Sequence, residues 1–502
     1  MNGKVFFVTG ATGFVAKGLV EKLLRDIPSV RRLYLLIRSG KHGSAEQRLD
    51  REVINSNVFS ELRKRLGPKF EETVRPKLVA VAGDLSKDRM GLTPDDYSKL
   101  LQEVDIVINF AATVVFDERL DHALELNTLG PRRILEFTKS CRDAILVHVS
   151  TAYVNGQQTG HIPERLLPPG QTIQRILGNG HSPDFDLETE IESIRQFRDE
   201  VMSDSEQPDL KGQILRTLQQ QDRGKRVTKY RRTHQLDALR KRWITQRLVK
   251  EGMSRSRKLG WNDTYTFTKS LGEQIVAKYR GSLPTAIVRP SIIESSLCDP
   301  EPGWLDGLKV ADPIFVHYGK GRLDHFPANP DIVLDVVPVD IVINAIIAIL
   351  PQIRKQKDLQ VYQVATSSVN PLKLRDLADW VYEYFRKSPL QDRDGNPIQV
   401  HRWQFPSHKE FRRQVRLKYQ VPLTTMLWLT NHVPIFPSSL KRKVSIFEAT
   451  FQRLLSLIEI YGPYTTLDCR FETENIRRLY RELDPEDRKV FNFDVSSIRW
   501  RE

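Results

Sequence analysis

The chain has 502 residues, 40% of them hydrophobic and 28% charged, with a net charge of +14. That is room for roughly two to four domains and close to a soluble globular average, which excludes a collagen, a coiled-coil rod and a wholly disordered chain. Cys141, Cys298 and Cys469 lie too far apart for a disulfide framework or a CxxC metal site. The N-terminus, MNGKVFFVTG, carries one lysine and turns glycine-rich after a few apolar residues. No secretory signal is expected there, and a reducing, cytoplasmic compartment follows. The longest apolar stretch, 336–350, is broken by Pro338, Asp340 and Asn344, so no membrane-spanning helix is expected.

In chain order, residues 4–9 (KVFFVT) form an apolar run of strand length and 10–13 a turn. Phe14, Val15, Leu19, Val20, Leu23 and Leu24 then recur at helical spacing, and 32–38 (RLYLLIR) is a second buried strand. This is a βαβ unit. Further strands are expected at 78–82, 105–110, 144–149 and 285–288, separated by helical patterns. Continuous apolar strands between amphipathic helices predict an α/β fold, a doubly wound parallel Rossmann sheet of six or seven strands drawn from 1–160 and about 260–295.

Between those stretches, 161–258 is polar and charged with no strand-like run, and reads as a helical insertion. Its charge is divided: 181–210 carries a net of −8, whereas 211–260 carries 16 Lys/Arg against three acids. The two segments can screen each other as solvated helices, or the basic one can attract an anionic partner such as a nucleotide-bearing substrate or a phospholipid surface. No nucleic-acid-binding motif accompanies the charge. From about 355 the sheet pattern fades into helical, aromatic-rich sequence with prolines at 422, 434 and 437. The expected division is therefore a sheet domain over 1–354 and a helical domain over 355–502. Residues 424–436 (TTMLWLTNHVPIF) read as core rather than membrane anchor.

Chemistry enters at the first turn. In Gly10-Ala11-Thr12-Gly13-Phe14-Val15-Ala16 a glycine-rich turn links a strand to a helix, where backbone N–H groups and the helix dipole can hold a pyrophosphate. Thr9, Gly10, Thr12, Gly13, Phe14 and Val15 are the candidate contacts. The second strand ends in Arg38, followed by Lys41, where an acid would suit the ribose of NAD; arginine suits the 2′-phosphate of NADP. Asp84 and Leu85 follow the third strand, placed to meet an adenine, and Ala111 lies in the NFAAT stretch that would pass beneath the cofactor. Tyr265 and Lys269 form a Y-x-x-x-K pair, one helical turn apart. A lysine there favours the phenolate and eases proton donation from tyrosine to a carbonyl gaining hydride. Ser150 and Thr151 follow the fifth strand, where a hydroxyl could hold the same oxygen, and Pro290 and Ile292 follow the next.

TGATGF, VSTAYVNG, YTFTK and RPSII, in this order, resemble an extended short-chain dehydrogenase/reductase. GWNDTYTFTK, Pro302-Gly303-Trp304 and 335–340 (DVVPVD) narrow the resemblance to the alcohol-forming fatty acyl-CoA reductases, and to their bacterial branch in particular. The resemblance implies Thr151 as the hydroxyl-bearing catalytic position, with Ser150 its alternative. It also implies Tyr265 as the acid, Lys269 as its partner and Pro290 beside the nicotinamide. Ala16 departs from the family's commoner glycine. The implied activity is NADPH-dependent reduction of long-chain acyl-CoA, through an aldehyde, to a primary alcohol of the kind used for wax esters. A peripheral contact with a lipid surface is the further partner the basic segment would suit. Three alternatives remain open: a reductase or epimerase of nucleotide sugars, a thioester reductase stopping at the aldehyde, and a cofactor-binding regulator without activity. The histidines show no ligand spacing, so no metal is expected. Cys298 is not expected to form a thioester, because no base is arranged beside it.

Overall fold

The structure, a computed structural model, describes residues 1–40, 43–178, 185–221, 229–308, 311–356, 358–432 and 438–502. Its centre is a seven-stranded sheet of β1 (Val5–Thr9), β2 (Arg32–Ile37), β3 (Leu78–Ala82), β4 (Ile106–Asn109), β5 (Ile145–Val149), β6 (Thr285–Pro290) and β7 (Gln360–Val364). The order is β3-β2-β1-β4-β5-β6-β7, and every neighbouring pair is parallel. Chain direction across the sheet reverses between β1 and β4, so a crevice opens beyond their C-terminal ends.

Both faces of the sheet are covered, which is why its strands are apolar throughout. Phe6 and Val8 of β1 point into one core with Leu19 and Leu23, whereas Val5 and Phe7 point into the other with Ile134 and Phe137. The first core is covered by α1 (Phe14–Asp26), the second by α2 (Gly130–Ser140). In the helical insertion, α3 (Leu187–Asp204) packs on α4 (Lys229–Lys258) through Val201, Ile244 and Leu248. Two ion pairs join the acidic stretch to the basic helix, Arg255 to Glu190 at 3.2 Å and Arg240 to Glu206 at 2.8 Å. Part of the opposite charge read in the sequence is thus paired internally. Lys225 and Arg226 lie outside the described residues, as do the side chains of Lys229, Arg231 and Arg232.

After α5 (Thr264–Tyr279) and β6, helix α6 (Val339–Ile349) closes over α1. The close approach that demands glycine is at Gly18, where a Cβ would stand 2.5 Å from Ile343 Cδ1. The expected boundary at 354/355 needs correction. Strand β7 lies beyond it yet pairs with β6, and Ile476, Leu479 and Phe493 share the first core with the sheet. The apolar signal of β7 is short and carries Gln360 and Gln363, so its pattern does not read as a strand. Gln363 is buried because its amide bonds Ile162 O and Glu472 O. The insertion also holds one short strand, Gly160–Ile162, paired with Cys469–Phe471. A separate core gathers Phe326 with Phe411, Val415, Leu423, Phe451 and Ile458 of the C-terminal helices. In the 424–436 stretch, however, Met426 and Trp428 are exposed, contrary to the core reading; 433–436 lie outside the described residues. Among the described residues no helix is long and apolar enough to cross a membrane.

Candidate active site

A cavity of about 490 Å³ runs along the C-terminal ends of the strands. Every catalytic or cofactor-binding candidate named from the sequence except Thr9 and Lys41 lines it: Gly10, Thr12, Gly13, Phe14, Val15, Arg38, Asp84, Leu85, Ala111, Ser150, Thr151, Tyr265, Lys269, Pro290 and Ile292. Thr9 is buried beneath the turn, where its Oγ1 donates to Asn109 Oδ1 at 2.6 Å and accepts from Ala111 N at 3.1 Å. It ties β1 to β4 rather than facing the cavity. Lys41 lies outside the described residues.

At one end, Gly10 has φ +69°, and a Cβ there would stand 2.9 Å from Ala111 N. Gly13 caps α1 without any side-chain acceptor, which leaves the first-turn N–H groups directed at the cavity. Beyond them Arg38 and Arg48 line the wall, Arg48 donating to Arg38 O at 2.6 Å. Burial pushes the Asp84 carboxyl up, but hydrogen bonds from Ser86 and the charges of Arg38 and Lys87 outweigh it and hold the group below its ordinary value. Arg48 carried no signal in the sequence, because it reaches the wall from a separate short helix.

The other end holds the hydroxyls. Asp263 caps α5, accepting from Thr266 N at 2.8 Å, and this places Tyr265 in the first turn. The helix is seated by Asn127, whose Nδ2 donates to Thr268 Oγ1 at 3.1 Å, and by Thr128, whose Oγ1 donates to Thr268 O at 2.9 Å. A Cβ at Gly272 would stand 2.2 Å from Asn127 O. Burial pushes the Tyr265 phenol well above its ordinary value, opposed by a hydrogen bond with Thr151 and reinforced by the charge of Asp263. Thr151 Oγ1 also accepts from Tyr153 N at 3.3 Å. Ser150 Oγ and Ser291 Oγ are buried beside it without a protein partner.

Lys269 donates through its Nζ to Val149 O at 2.7 Å. Burial lowers it to about 8, opposed by the charge of Glu273. Burial holds the Tyr265 phenol protonated, which a proton donor requires. Glu273 in turn pairs with Arg289 of β6, 2.9 Å and 2.5 Å apart through two bonds, both side chains buried.

Phe116, Glu294, Tyr461 and Tyr464 are among the wall residues that came with no motif of their own. Tyr461, Tyr464 and Ile292 also line a second, wholly apolar cavity with Ile314, Phe315, Phe326, Leu334 and Trp403. Trp304 is buried against Phe14, ring centroids 4.9 Å apart. The two aspartates of 335–340 are structural: Asp335 accepts from Thr366 and Ser367, Asp340 from the backbone of 297–299. Cys298 is exposed and lines neither cavity.

Residues 8–346 match the NAD-binding family model described as male sterility protein, and 434–502 match a second model with the same description. The chain is 35% identical to fatty acyl-CoA reductase 2, chloroplastic, of Arabidopsis thaliana, over 100% of this chain and 76% of that protein. It is 33% identical to the alcohol-forming fatty acyl-CoA reductase of Simmondsia chinensis, over 100% and 95%. The chain belongs to the fatty acyl-CoA reductase family. It is an oxidoreductase with an extended short-chain reductase fold. These relatives are plant proteins and leave the bacterial placement a resemblance of motifs. Among solved structures, the terminal R domain of the myxalamid biosynthetic pathway superposes with a TM-score of 0.54 at 16% identity, over 99% of this chain and 90% of that one. The reductase domain of a non-ribosomal peptide synthetase from Mycobacterium tuberculosis gives 0.52 at 17%, over 98% and 91%. These share the fold.

A nicotinamide dinucleotide fits this family member's cavity. Glycine at 10 leaves open the space a side chain would fill, the bare helix start faces it, and orphaned serine hydroxyls stand at the far end. Thr12 to Val15 would hold the pyrophosphate, Arg38 and Asp84 the adenosine, and Lys269 and Pro290 the nicotinamide half.

Proposed function

We propose that this chain reduces long-chain acyl-CoA, with NADPH, to the aldehyde and then to the primary alcohol. The observation that carries the reading is the adjacency of the two cavities, which share Ile292, Tyr461 and Tyr464 in their walls. Thr151 and Tyr265 line the glycine-turn cavity together with these residues. The apolar cavity, about 90 Å³, would take a few methylenes of an acyl tail whose thioester carbonyl lies at the hydroxyls. The segment past 355 supplies Trp403, Tyr461 and Tyr464 to the wall of the apolar cavity. Arg38 and Arg48 on the adenosine wall favour NADPH.

When bound, the reduced nicotinamide supplies hydride to the carbonyl carbon. Thr151 Oγ1 and Tyr265 Oη hold the oxygen as its charge develops, and Tyr265 Oη gives it a proton. Burial favours this transfer, because a phenol held protonated in a dry site loses its proton only to a stronger base such as the developing alkoxide. Once the hemithioacetal has expelled coenzyme A, the same two hydroxyls meet the aldehyde oxygen in the same place, so a second reduction needs no second site. The chain acts in the cytoplasm, with a lipid surface as a source of substrate.

Gas chromatography of products from palmitoyl-CoA and excess NADPH tests the reading. Hexadecanol should form, and Tyr265→Phe should lower turnover by a factor of about 10²–10⁴ with dinucleotide affinity nearly intact. Hexadecanal as sole product would limit the chemistry to the first step. Turnover of a nucleotide sugar in place of palmitoyl-CoA would overturn the reading.

A further inference from the structure

Asp263 caps the helix that carries Tyr265, and only part of its carboxylate is used for capping. Oδ1 accepts from Thr266 N and, at 3.0 Å, from Thr266 Oγ1. Oδ2 accepts from the phenol of Tyr464, 201 residues further along the chain. Both side chains are buried. Tyr464 lies in the turn Gly462–Thr465, which follows the long C-terminal helix Ser438–Tyr461. Its ring stacks on Phe116 with centroids 5.1 Å apart and meets Tyr153 edge-on at 5.1 Å. Phe116 in turn lies edge-on to Tyr265 at 5.7 Å, and its carbonyl accepts from Tyr265 N at 3.4 Å. Tyr464 therefore grips the tyrosine from two sides, through the cap below it and the ring beside it.

We infer that Tyr464 is a positioning residue for Tyr265, by which the C-terminal segment fixes the start of the catalytic helix and completes the proton-donating site. The inference rests on the reading of Tyr265 as the acid. A ring that merely filled space would need no hydroxyl, and phenylalanine would fill the same volume. Here the hydroxyl is the donor to a buried carboxylate oxygen. Removing it leaves that oxygen unpaired, and the group relieves the penalty by taking up a proton or turning away from the cap. Either response moves the first turn, and a misplacement on the order of 1 Å in a reacting group costs about a hundredfold in rate.

The pH dependence has a definite sign. Burial pushes Asp263 up to about 6, against the hydrogen bonds from Thr266, Tyr464 and Tyr265 N. The titratable groups facing it are Tyr464 from the C-terminal turn and Tyr265 on its own helix, with Tyr153 against Tyr464. The ionised carboxylate is the form that accepts from the phenol, so turnover falls as pH drops through about 6. Without the Tyr464 hydroxyl, Asp263 protonates at higher pH, and the acid limb moves toward neutrality.

The test compares kcat against pH for wild type, Tyr464→Phe, Asp263→Asn and Tyr265→Phe, and for the double variant Tyr464→Phe/Tyr265→Phe, using palmitoyl-CoA and NADPH. Tyr464→Phe should lower kcat by about ten- to a hundredfold, leave the KM values little changed and raise the acid limb. Asp263→Asn keeps a capping side chain and should abolish the limb. In the double variant the second change should add nothing to the loss from Tyr265→Phe, because Tyr464 acts through that residue. An impaired Tyr265→Phe beside a Tyr464→Phe enzyme of wild-type kcat and limb overturns the inference alone, as do losses that multiply in the double variant. An unimpaired Tyr265→Phe overturns the catalytic reading, and the inference with it.

Discussion

The buried pair between Glu273 and Arg289 gives the sharpest test of how the site is supported. Replacing Glu273 by Gln keeps the shape and removes one charge, leaving the guanidinium buried opposite an amide. Both partners are less than 5% exposed, and breaking such a pair from one side costs roughly 3–5 kcal/mol. Arg289 keeps its bond to Arg165 O at 3.0 Å, which places the loss at the lower end. If the 502 residues unfold together at roughly 2.1 cal/mol/K each, every kcal/mol lowers Tm by about 1 °C. A fall of about 3 °C is expected by calorimetry. Lys269 supplies a second readout. Its ammonium is lowered to about 8 by burial and held up by Glu273, so activity should decline as pH rises through about 8 in wild type. In Glu273→Gln that alkaline limb should begin at lower pH. The double variant Glu273→Leu/Arg289→Met should recover most of the stability, since an apolar pair replaces an ion pair at little cost. It should not recover the limb. A Glu273→Gln protein with unchanged Tm and an unchanged alkaline limb would refute the reasoning.

Arg38→Asp should weaken NADPH binding by about 1.5–3 kcal/mol, or about ten- to a hundredfold, while NADH binding holds or improves; wild-type enzyme that uses NADH equally well contradicts the assignment. Cys298→Ser should leave the kinetics on acyl-CoA unaltered, because the thiol is exposed and outside both cavities; complete inactivation would return a covalent thioester to the mechanism. Glu294 is pushed up to about 8 by burial and by Asp312, and its Oε1 has no protein partner. The folded state then binds more protons than the unfolded one between about pH 4.5 and 8, so this group lowers stability as pH rises through that window. Glu294→Gln should therefore gain on wild type from pH 5 to pH 8 by at most about 4 kcal/mol, read as a Tm difference; a difference independent of pH would show that Glu294 is ionised throughout.

What the sequence revealed was what is local. The glycine turn, the apolar strands and the Tyr265–Lys269 spacing each involve residues within one helical turn or one strand, and the fold brings all but Thr9 of the described candidates to one cavity. Close packing was legible only where a motif accompanies it. Ala16 stands where the family more commonly has glycine, yet a Cβ at Gly18 is what would meet Ile343, a contact between helices far apart in sequence. Strand β7 escaped for a related reason. The amide nitrogen of Gln363 donates to Ile162 O and Glu472 O, so the glutamine that disguises the strand as surface is buried beside partners the sequence does not show.

The same argument explains why the C-terminal segment was misjudged. Read alone, residues past 355 look like a helical domain appended to a reductase, since their own apolar pattern is helical. Folded, they contribute the edge strand, part of the main core and the two tyrosines at the junction of the cavities. Tyr464 carries no motif: nothing within a few residues of it distinguishes a site tyrosine from a core one. What distinguishes it is a buried carboxylate 201 residues earlier that has one oxygen left to satisfy. Asp263 is itself readable as a helix cap, and a cap bonded to its own helix through one oxygen leaves the other in want of a donor. Such an unmet need in a buried position is the one sequence-level sign that a distant hydroxyl must arrive there, although it does not say which. The apolar cavity cannot form without the C-terminal segment, since Trp403, Tyr461 and Tyr464 are part of its wall. A chain ending before them would keep the dinucleotide turn and lose both the place for an acyl tail and the donor to Asp263.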